Sequence, residues 1–509
     1  MSGGCFKQYK CSKGGREKQS GNRRDSFPTA IALRQTIGYN SGTEVKEGYM
    51  KDHMTLKASL VDRIEKNRDE IIGIGDAIYR TPETGFKEFK TAGFVKKKLQ
   101  EWGISYTSLE DYPGIKVTLD TGKEGPGIAV VAELDAIICR EHPDSDKETG
   151  AVHACGHNAQ MAAMMGALKG IVDTGILEHL SGKLHFIAVP AEEYIEIAYR
   201  MGLREKGAIK YLGGKPELLR KGFFDDVDLC VSIHSTSGLE KKIVIGKSLN
   251  GCVVKNIKYI GKPVHAGTSP HKGINALYAA NLGLMAINAI RETFREEEYI
   301  RVHPIITKGG DIVNVIPGDV RLETFVRGKT LRDMLAAGIR VDRALVGAAA
   351  AMGAKVEIED LPGYLPAAYD EGLRAIAGEV GRTLVREEEL AEDVHDTGST
   401  DWGDISSLMP VLETSIGGIT GTAHGADYKI ADPDIAYVLG AKYLASMAVE
   451  LLLNDGEKAK AVLKGFTPLF KSKQEYFDTV DKLFRKRSLP SEDYKDGVME
   501  DLIRDLCTL

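Results

Sequence analysis

The run Ile128-Ala-Val-Val-Ala-Glu133-Leu-Asp135, followed by His153-Ala-Cys155-Gly-His157-Asn158 and the Ala/Met-rich stretch Ala159–Val172, carries the main fold information in this chain. The first segment is a short apolar run ending in carboxylates. It reads as a strand buried on both faces, with its polar residues just past the carboxyl end. The third has the length and composition of a helix, so the middle segment is the connection between strand and helix. Similar short runs recur at Ile115–Leu119, Leu184–Val189 and Leu229–Ile233, and a helical pattern opens the body at Thr55–Ile78. Strands alternating with helices predict an α/β sheet covered by helices.

The pattern changes downstream. Strands are expected at Val253–Tyr259, near Arg301–Ile306, at Val320–Val326 and at Lys355–Ile358, with helices at Ile274–Thr293 and Leu331–Met352. This strand-helix-strand-strand-helix-strand order is the ferredoxin-like βαββαβ pattern. The expected organisation is a tail over 1–53, a catalytic domain split into 54–245 and 365–455, an inserted lid or dimerisation domain over 246–364, and a helical extension over 456–509. Residues 1–34 hold eight basic and two acidic residues and little periodicity. They read as a disordered basic tail or as sequence upstream of a true start at Met50 or Met54.

The chain of 509 residues is 43% hydrophobic and 28% charged, which is globular rather than disordered composition. A net charge of −6 argues against a general nucleic-acid binder. No apolar run approaches a bilayer span and nothing reads as a signal peptide. Seven scattered cysteines fit a reducing cytoplasm better than a disulfide framework. The expectation is a cytoplasmic protein without nucleic-acid or membrane partners.

Four polar clusters fall just past strand ends, where open α/β sheets bind their ligands. They are Glu133-Leu-Asp135, His153-Ala-Cys155-Gly-His157, Pro190-Ala-Glu192-Glu193 and His234; His424 lies far downstream. Each residue singly has a bland reading as a packed histidine, a small buried cysteine or a solvated loop glutamate. Together they supply thiolate, imidazole and carboxylate, the donors favoured by zinc or a similar transition ion. Glycine between Cys155 and His157 lets one tight turn present two ligands. Adjacent Glu192 and Glu193 permit one to bind metal and the other to remain a free base.

His153-Ala-Cys-Gly-His157, Pro190-Ala-Glu-Glu193 and Gly261-Lys-Pro-Val-His265-Ala-Gly resemble the motifs of the metallo-amidohydrolase (zinc-peptidase) family. That family includes hippurate hydrolases, auxin-conjugate hydrolases, aminoacylases and p-aminobenzoyl-glutamate hydrolase. Asn314-Val-Ile-Pro317, Arg327, Gly398-Ser-Thr-Asp401 and His424 follow in the family's order. Asn158 after Cys-Gly-His, and Gly-Ser-Thr-Asp401-Trp-Gly-Asp404-Ile-Ser406, are similar to the p-aminobenzoyl-glutamate hydrolase branch. The hippurate-type branch usually has Asp in place of Asn158 and His in place of Gln160.

The resemblance implies two divalent ions, zinc or manganese, held by Cys155, His157, Glu193, His234 and His424. Glu192 would be the general base and His265 would stabilise the oxyanion. Asn314 and Arg327 would bind the substrate carboxylate, and Asp135 would orient a ligand from behind. It further implies a homodimer formed through the inserted domain and a small-molecule amide substrate, an N-acyl or N-aroyl amino acid. The alternatives are a dipeptidase and a non-catalytic relative that binds amino-acid conjugates. A structural zinc site fits poorly, since such sites are usually closed by four Cys or His ligands. Related families use a histidine ligand where this chain has Glu133.

Overall fold

The computed structural model describes residues 42–489, with side chains from residue 53 to 488. The expectations for residues 1–41 and 490–509 lie outside these. The opening helix differs from the sequence reading in two ways. It starts inside the stretch assigned to the tail, and it is two helices, Gly42–Lys66 and Arg68–Tyr79, broken at Asn67. Leu60 and Ile64 anchor the first in the core, and a nucleated helix extends at little further cost. Asn67 marks the break, its side-chain amide donating to Asp173.

Among the described residues the main sheet has nine strands, and four parallel neighbours form its centre: Lys183–Val189, Gly127–Glu133, Leu229–Ser237 and Val411–Thr420. Gly127–Glu133 is buried throughout, as expected of a strand with both faces covered. Ile115–Asp120 pairs antiparallel on one flank and Ile243–Ile245 on the other. The helix His157–Thr174 covers one part of the sheet and is buried along nearly its whole length. It packs on a second apolar helix, Gly440–Leu452, that continues from a π-helical turn at Asp434–Leu439. The combined Asp434–Leu452 stretch is long and apolar enough to cross a membrane, which the sequence reading found nowhere. It is 83% buried within the protein, as a core helix would be.

The second sheet is antiparallel throughout. Asp319–Gly328 and Lys355–Tyr364 flank Gly251–Ile260, and the short strands Arg301–Val302 and Ile305–Lys308 pair with the outer side of Asp319–Gly328. The expected single strand near Arg301–Ile306 is split around Pro304, which has no N–H to offer a ladder. Helices Ala276–Arg291 and Leu331–Ala351 pack together on one face, so the element order is the βαββαβ read from the sequence. Asn275 and Thr330 cap these helices, each side-chain oxygen accepting from backbone N–H groups of the first turn.

The region after residue 456 is not wholly helical. Helices Glu457–Gly465 and Lys473–Asp481 are followed by a strand, Arg485–Leu489, which adds to the edge strand Lys355–Tyr364. An open edge offers unpaired backbone groups, and this strand satisfies them. Arg487 pairs with Asp342 and Asp360, the same two carboxylates that hold the buried Lys255 ammonium at 2.8 and 2.7 Å. The preceding helix contacts the first sheet's surroundings: Tyr476 donates to Asp404 at 2.8 Å, and Asp481 accepts from Lys210 and Tyr211.

Burial pushes the Asp404 carboxyl up to about 8, against the hydrogen bond from Tyr476. A folded-state value above the unfolded one means that folding takes up a proton here. Stability therefore falls as pH rises from about 4 to about 8. Asp404→Asn keeps an acceptor for Tyr476 but cannot ionise. The variant should match the parent near pH 4.5 and exceed it at pH 8 by several degrees in thermal midpoint, as differential scanning calorimetry at the two pH values would show.

Candidate active site

Each cluster read from the sequence sits where a central strand ends. Glu133 is the last residue of its strand and Asp135 follows two residues on. His234 lies within Leu229–Ser237, which runs four residues beyond the expected end, and Glu192 and Glu193 follow Lys183–Val189. Cys155 and His157 flank Gly156, whose φ of +91° lies in the region open to glycine. A Cβ at Gly156 would stand 2.3 Å from Ser235 Oγ and 2.6 Å from Tyr428 Oη. Both backbone conformation and space thus require glycine between the two donors.

The glutamate loop is held rigidly. Ala191 has φ +54°, a costly conformation for a residue with a side chain. Its N–H donates to Glu88 at 2.7 Å, and the buried Arg200 donates to the carbonyls of Ala191, Leu212 and Glu193. Asp135 links two clusters. Its Oδ2 accepts the Glu193 N–H at 2.9 Å, while its carbonyl oxygen lies 2.8 Å from His157 Nδ1. That contact assigns the proton to Nδ1 and leaves Nε2 as the donor atom for a metal.

Two triads of donors result. Cys155, His157 and His234 have ligand atoms within 4.8 Å of one another, and so do Cys155, Glu193 and His424. Cys155 belongs to both: its Sγ is 3.4 Å from His234 Nε2 and 3.3 Å from His424 Nε2. His424 Nε2 is also 3.0 Å from Glu193 Oε1. His424 is presented from a loop at φ +63°, with its N–H donating to the Ala154 carbonyl. The set of sulfur, nitrogen and oxygen donors suits a transition ion, and His157 Nε2 is buried with no hydrogen bond. The residues therefore fit two divalent ions sharing one thiolate.

The electrostatics are those of a cation site. Burial, then the Glu193 charge, pushes the Cys155 thiol well up. Burial opposes ionisation of Glu193, yet the His424 hydrogen bond and charge, with that of His157, hold it down at about 2. Glu192 is different: burial, and then the charges of Glu133, Glu193 and Asp401, raise its proton affinity well above the usual carboxylate range. Its Oε2 stands 4.0 Å from His157 Nε2, and its backbone carbonyl accepts from Tyr364.

Arg327, at the end of Asp319–Gly328, donates to Ser399 Oγ at 2.8 Å, and its charge acts on His424. His265 and Asn314 are brought to each other rather than to the cluster. Their loops meet through a bridge between His265 and Val315, and Ala266 donates to the Asn314 carbonyl. Both are exposed, and neither makes a hydrogen bond or ion pair with the cluster among the described residues. His265 Nδ1 lies 3.1 and 3.2 Å from the N–H nitrogens of Gly267 and Thr268 and accepts from them, which leaves the proton on Nε2.

Sequence reasoning missed Lys215. Its side chain is fully buried beneath the cluster, with Nζ 2.5 Å from Glu133 Oε1 and also paired with Asp401. No signal in the sequence marked it, since the short helix Gly214–Arg220 that carries it is rich in charged residues. A Cβ on Gly214 would fall 1.5 Å from the Pro190 carbonyl oxygen, so the glycine lets this helix dock on the glutamate loop. Gln160, noted only as a departure, also holds Glu133: its amide donates to Oε2 at 2.8 Å and its carbonyl oxygen accepts the Glu133 N–H. Trp402 packs in the core, with the Lys215 ammonium 4.7 Å over its ring.

Comparison with known proteins gives the family. The chain is 27% identical over 328 residues to an N-acyl-L-amino acid amidohydrolase of Geobacillus stearothermophilus, covering 62% of this chain and 81% of that one. It is 30% identical over 233 residues to a p-aminobenzoyl-glutamate hydrolase homolog of Haemophilus influenzae, covering 43% and 50%. A dinuclear metal binding peptidase of Bacillus subtilis has a similar fold, with TM-score 0.57 at 21% identity over 76% of this chain and 99% of that one. The family profile described as peptidase family M20/M25/M40 matches residues 129–450, a span that contains every donor of both triads and Glu192. This chain belongs to that family and is a hydrolase of amide bonds.

Proposed function

We propose that this protein is a two-metal amidohydrolase that releases the amino acid from N-acyl or N-aroyl amino acids, conjugates of the hippurate or p-aminobenzoyl-glutamate kind. The observation that carries this reading is the pair of donor triads sharing Cys155, with the unshared Glu192 beside them. When bound, two divalent ions, zinc or manganese, would polarise the scissile carbonyl and acidify water. Glu192 takes the proton from the attacking water and passes it to the nitrogen of the leaving amino acid. Its raised proton affinity suits a group that must both accept and donate. Arg327, held by Ser399, would offer a planar guanidinium to a substrate carboxylate, and Asn314, which stands with His265, would assist it. His265, with its proton on Nε2, has the donor that an oxyanion needs.

His265 and Asn314 make no hydrogen bond or ion pair with the donor cluster among the described residues, and a second copy of the chain could supply both. The second sheet presents Tyr278, Met285, Ile305 and Ile306 exposed on the helix Ala276–Arg291 and the strand Ile305–Lys308. A homodimer through this face belongs to the same proposal. Ile305→Lys should convert a dimer to a monomer in sedimentation equilibrium, and an unchanged mass would remove that part.

The test of function is metal content followed by a substrate screen. The protein reconstituted with zinc or manganese should hold about two ions per chain and cleave N-aroyl and N-acyl amino acids in preference to ordinary dipeptides. A preference for ordinary dipeptides would favour the dipeptidase reading. Two ions bound with no turnover of either class would favour a binding protein.

A further inference from the structure

Glu133 stands unusually close to the metal donors for a residue that is not one of them. Its carboxylate forms a third group with His157 and Glu192, all within 4.8 Å, and its Oε2 is 3.1 Å from His157 Nε2. A carboxylate in that position is within reach of an ion bound to His157. We propose that Lys215 is a positioning residue that holds Glu133 out of the coordination sphere, acting as a covalently attached cation at the floor of the site. The inference rests on the two-metal reading above.

The geometry of the lysine supports a holding role. Both Glu133 oxygens are occupied, Oε1 by Lys215 Nζ at 2.5 Å and Oε2 by Gln160 Nε2 at 2.8 Å. Lys215 cannot swing away, because Nζ also pairs with Asp401 and its own backbone N–H donates to Asp401 Oδ2 at 2.8 Å. The indole of Trp402 covers the ammonium. The helix that carries the lysine is docked on the glutamate loop through Gly214, whose N–H donates to the Ala191 carbonyl.

The charge balance points the same way. Glu133, Asp135, Glu192, Glu193 and Asp401 are all buried around the cluster. An ammonium buried among them loses its hydration and is retained only where it is fully paired. Supplied with a mobile cation instead, Glu133 and Asp401 would form a carboxylate site of their own, and Glu133 would be free to turn to an ion on His157. Lys215 prevents both and preserves an open coordination position for water and substrate.

The experiment uses the full chain loaded with Co²⁺ as a coordination probe, read by visible absorption and metal analysis. The parent is expected to bind about two Co²⁺ with the intense bands of low coordination number. In Lys215→Met, Glu133 joins the metal: Co²⁺ content stays the same or rises, the bands weaken, and hydrolysis falls at least about tenfold. Adding Glu133→Gln to this variant restores the parent spectrum, because the amide is a poor substitute for the anionic ligand. If Lys215→Met does not fold, the same comparison is made in an Asp401→Asn background, which removes the second buried charge left unpaired.

An unchanged spectrum in the lysine variant, or one that Glu133→Gln does not restore, overturns the proposal. A parent that binds no Co²⁺ overturns the two-metal reading itself, and that result is visible before any variant is compared.

Discussion

Replacing Glu192 with glutamine should leave about two metal ions bound and lower amide hydrolysis by roughly 10²–10⁴-fold, the usual contribution of a positioned general base. The neighbouring residues explain the separation of the two effects. Glu193 lies in a metal triad with Cys155 and His424, whereas Glu192 is in neither of the two triads that share Cys155. The backbone that carries both glutamates is fixed. Arg200 pins the carbonyls of Ala191 and Glu193, Asp135 accepts the Glu193 N–H, and Tyr364 donates to the Glu192 carbonyl. Glutamine preserves the size of the side chain but cannot take a proton, so kcat should fall far more than KM rises. A variant that retains parent activity with metal bound would remove Glu192 from the reaction, and loss of metal together with activity would mark it as a ligand.

Replacing Cys155 with alanine should abolish both metal binding and turnover. The thiol is the one atom common to both triads, so its loss leaves each with two protein donors. Metal content is expected to fall from about two ions to well below one per chain after exhaustive dialysis. Hydrolysis should drop by more than the 10–100-fold typical of changes to groups that only support a ligand. The fold should survive, because Cys155 lies in a small apolar cluster with Ile137, Val152 and Tyr428, at the edge of the main core. Far-ultraviolet circular dichroism on the same sample separates loss of metal from loss of structure. Retention of two tightly bound ions in this variant would rule out a shared thiolate.

The α/β class was legible because the central strands are parallel and buried on both faces. Such strands must be continuous apolar runs, and Ile128–Ala132 and Leu184–Val189 are that. The βαββαβ order was legible from alternation and helical spacing, with a local error at Pro304, as the opening helix had one at Asn67. The strand Arg485–Leu489 was not legible. Its basic sequence has no strand signature, and its conformation depends on an open edge more than a hundred residues away and on the buried carboxylates Asp342 and Asp360.

The candidate site divides along the same line. The clusters holding Cys155, His157, Glu192, Glu193 and His234 could be picked out because strand ends collect ligands and the residue types are those that bind transition ions, while the family resemblance added His424 and the division between Glu193 as ligand and Glu192 as base. That His265 and Asn314 meet each other rather than the donors was decided by tertiary structure. So was Lys215, a single lysine whose sequence neighbours give no hint of burial. Its importance arises from the approach of Glu133 and Asp401, 82 and 186 residues away along the chain. Chemistry carried by residue type and local spacing is written in the sequence. Chemistry that depends on which buried charges face one another exists only once the chain has folded, because the cost of burying each charge is set by its partners in space.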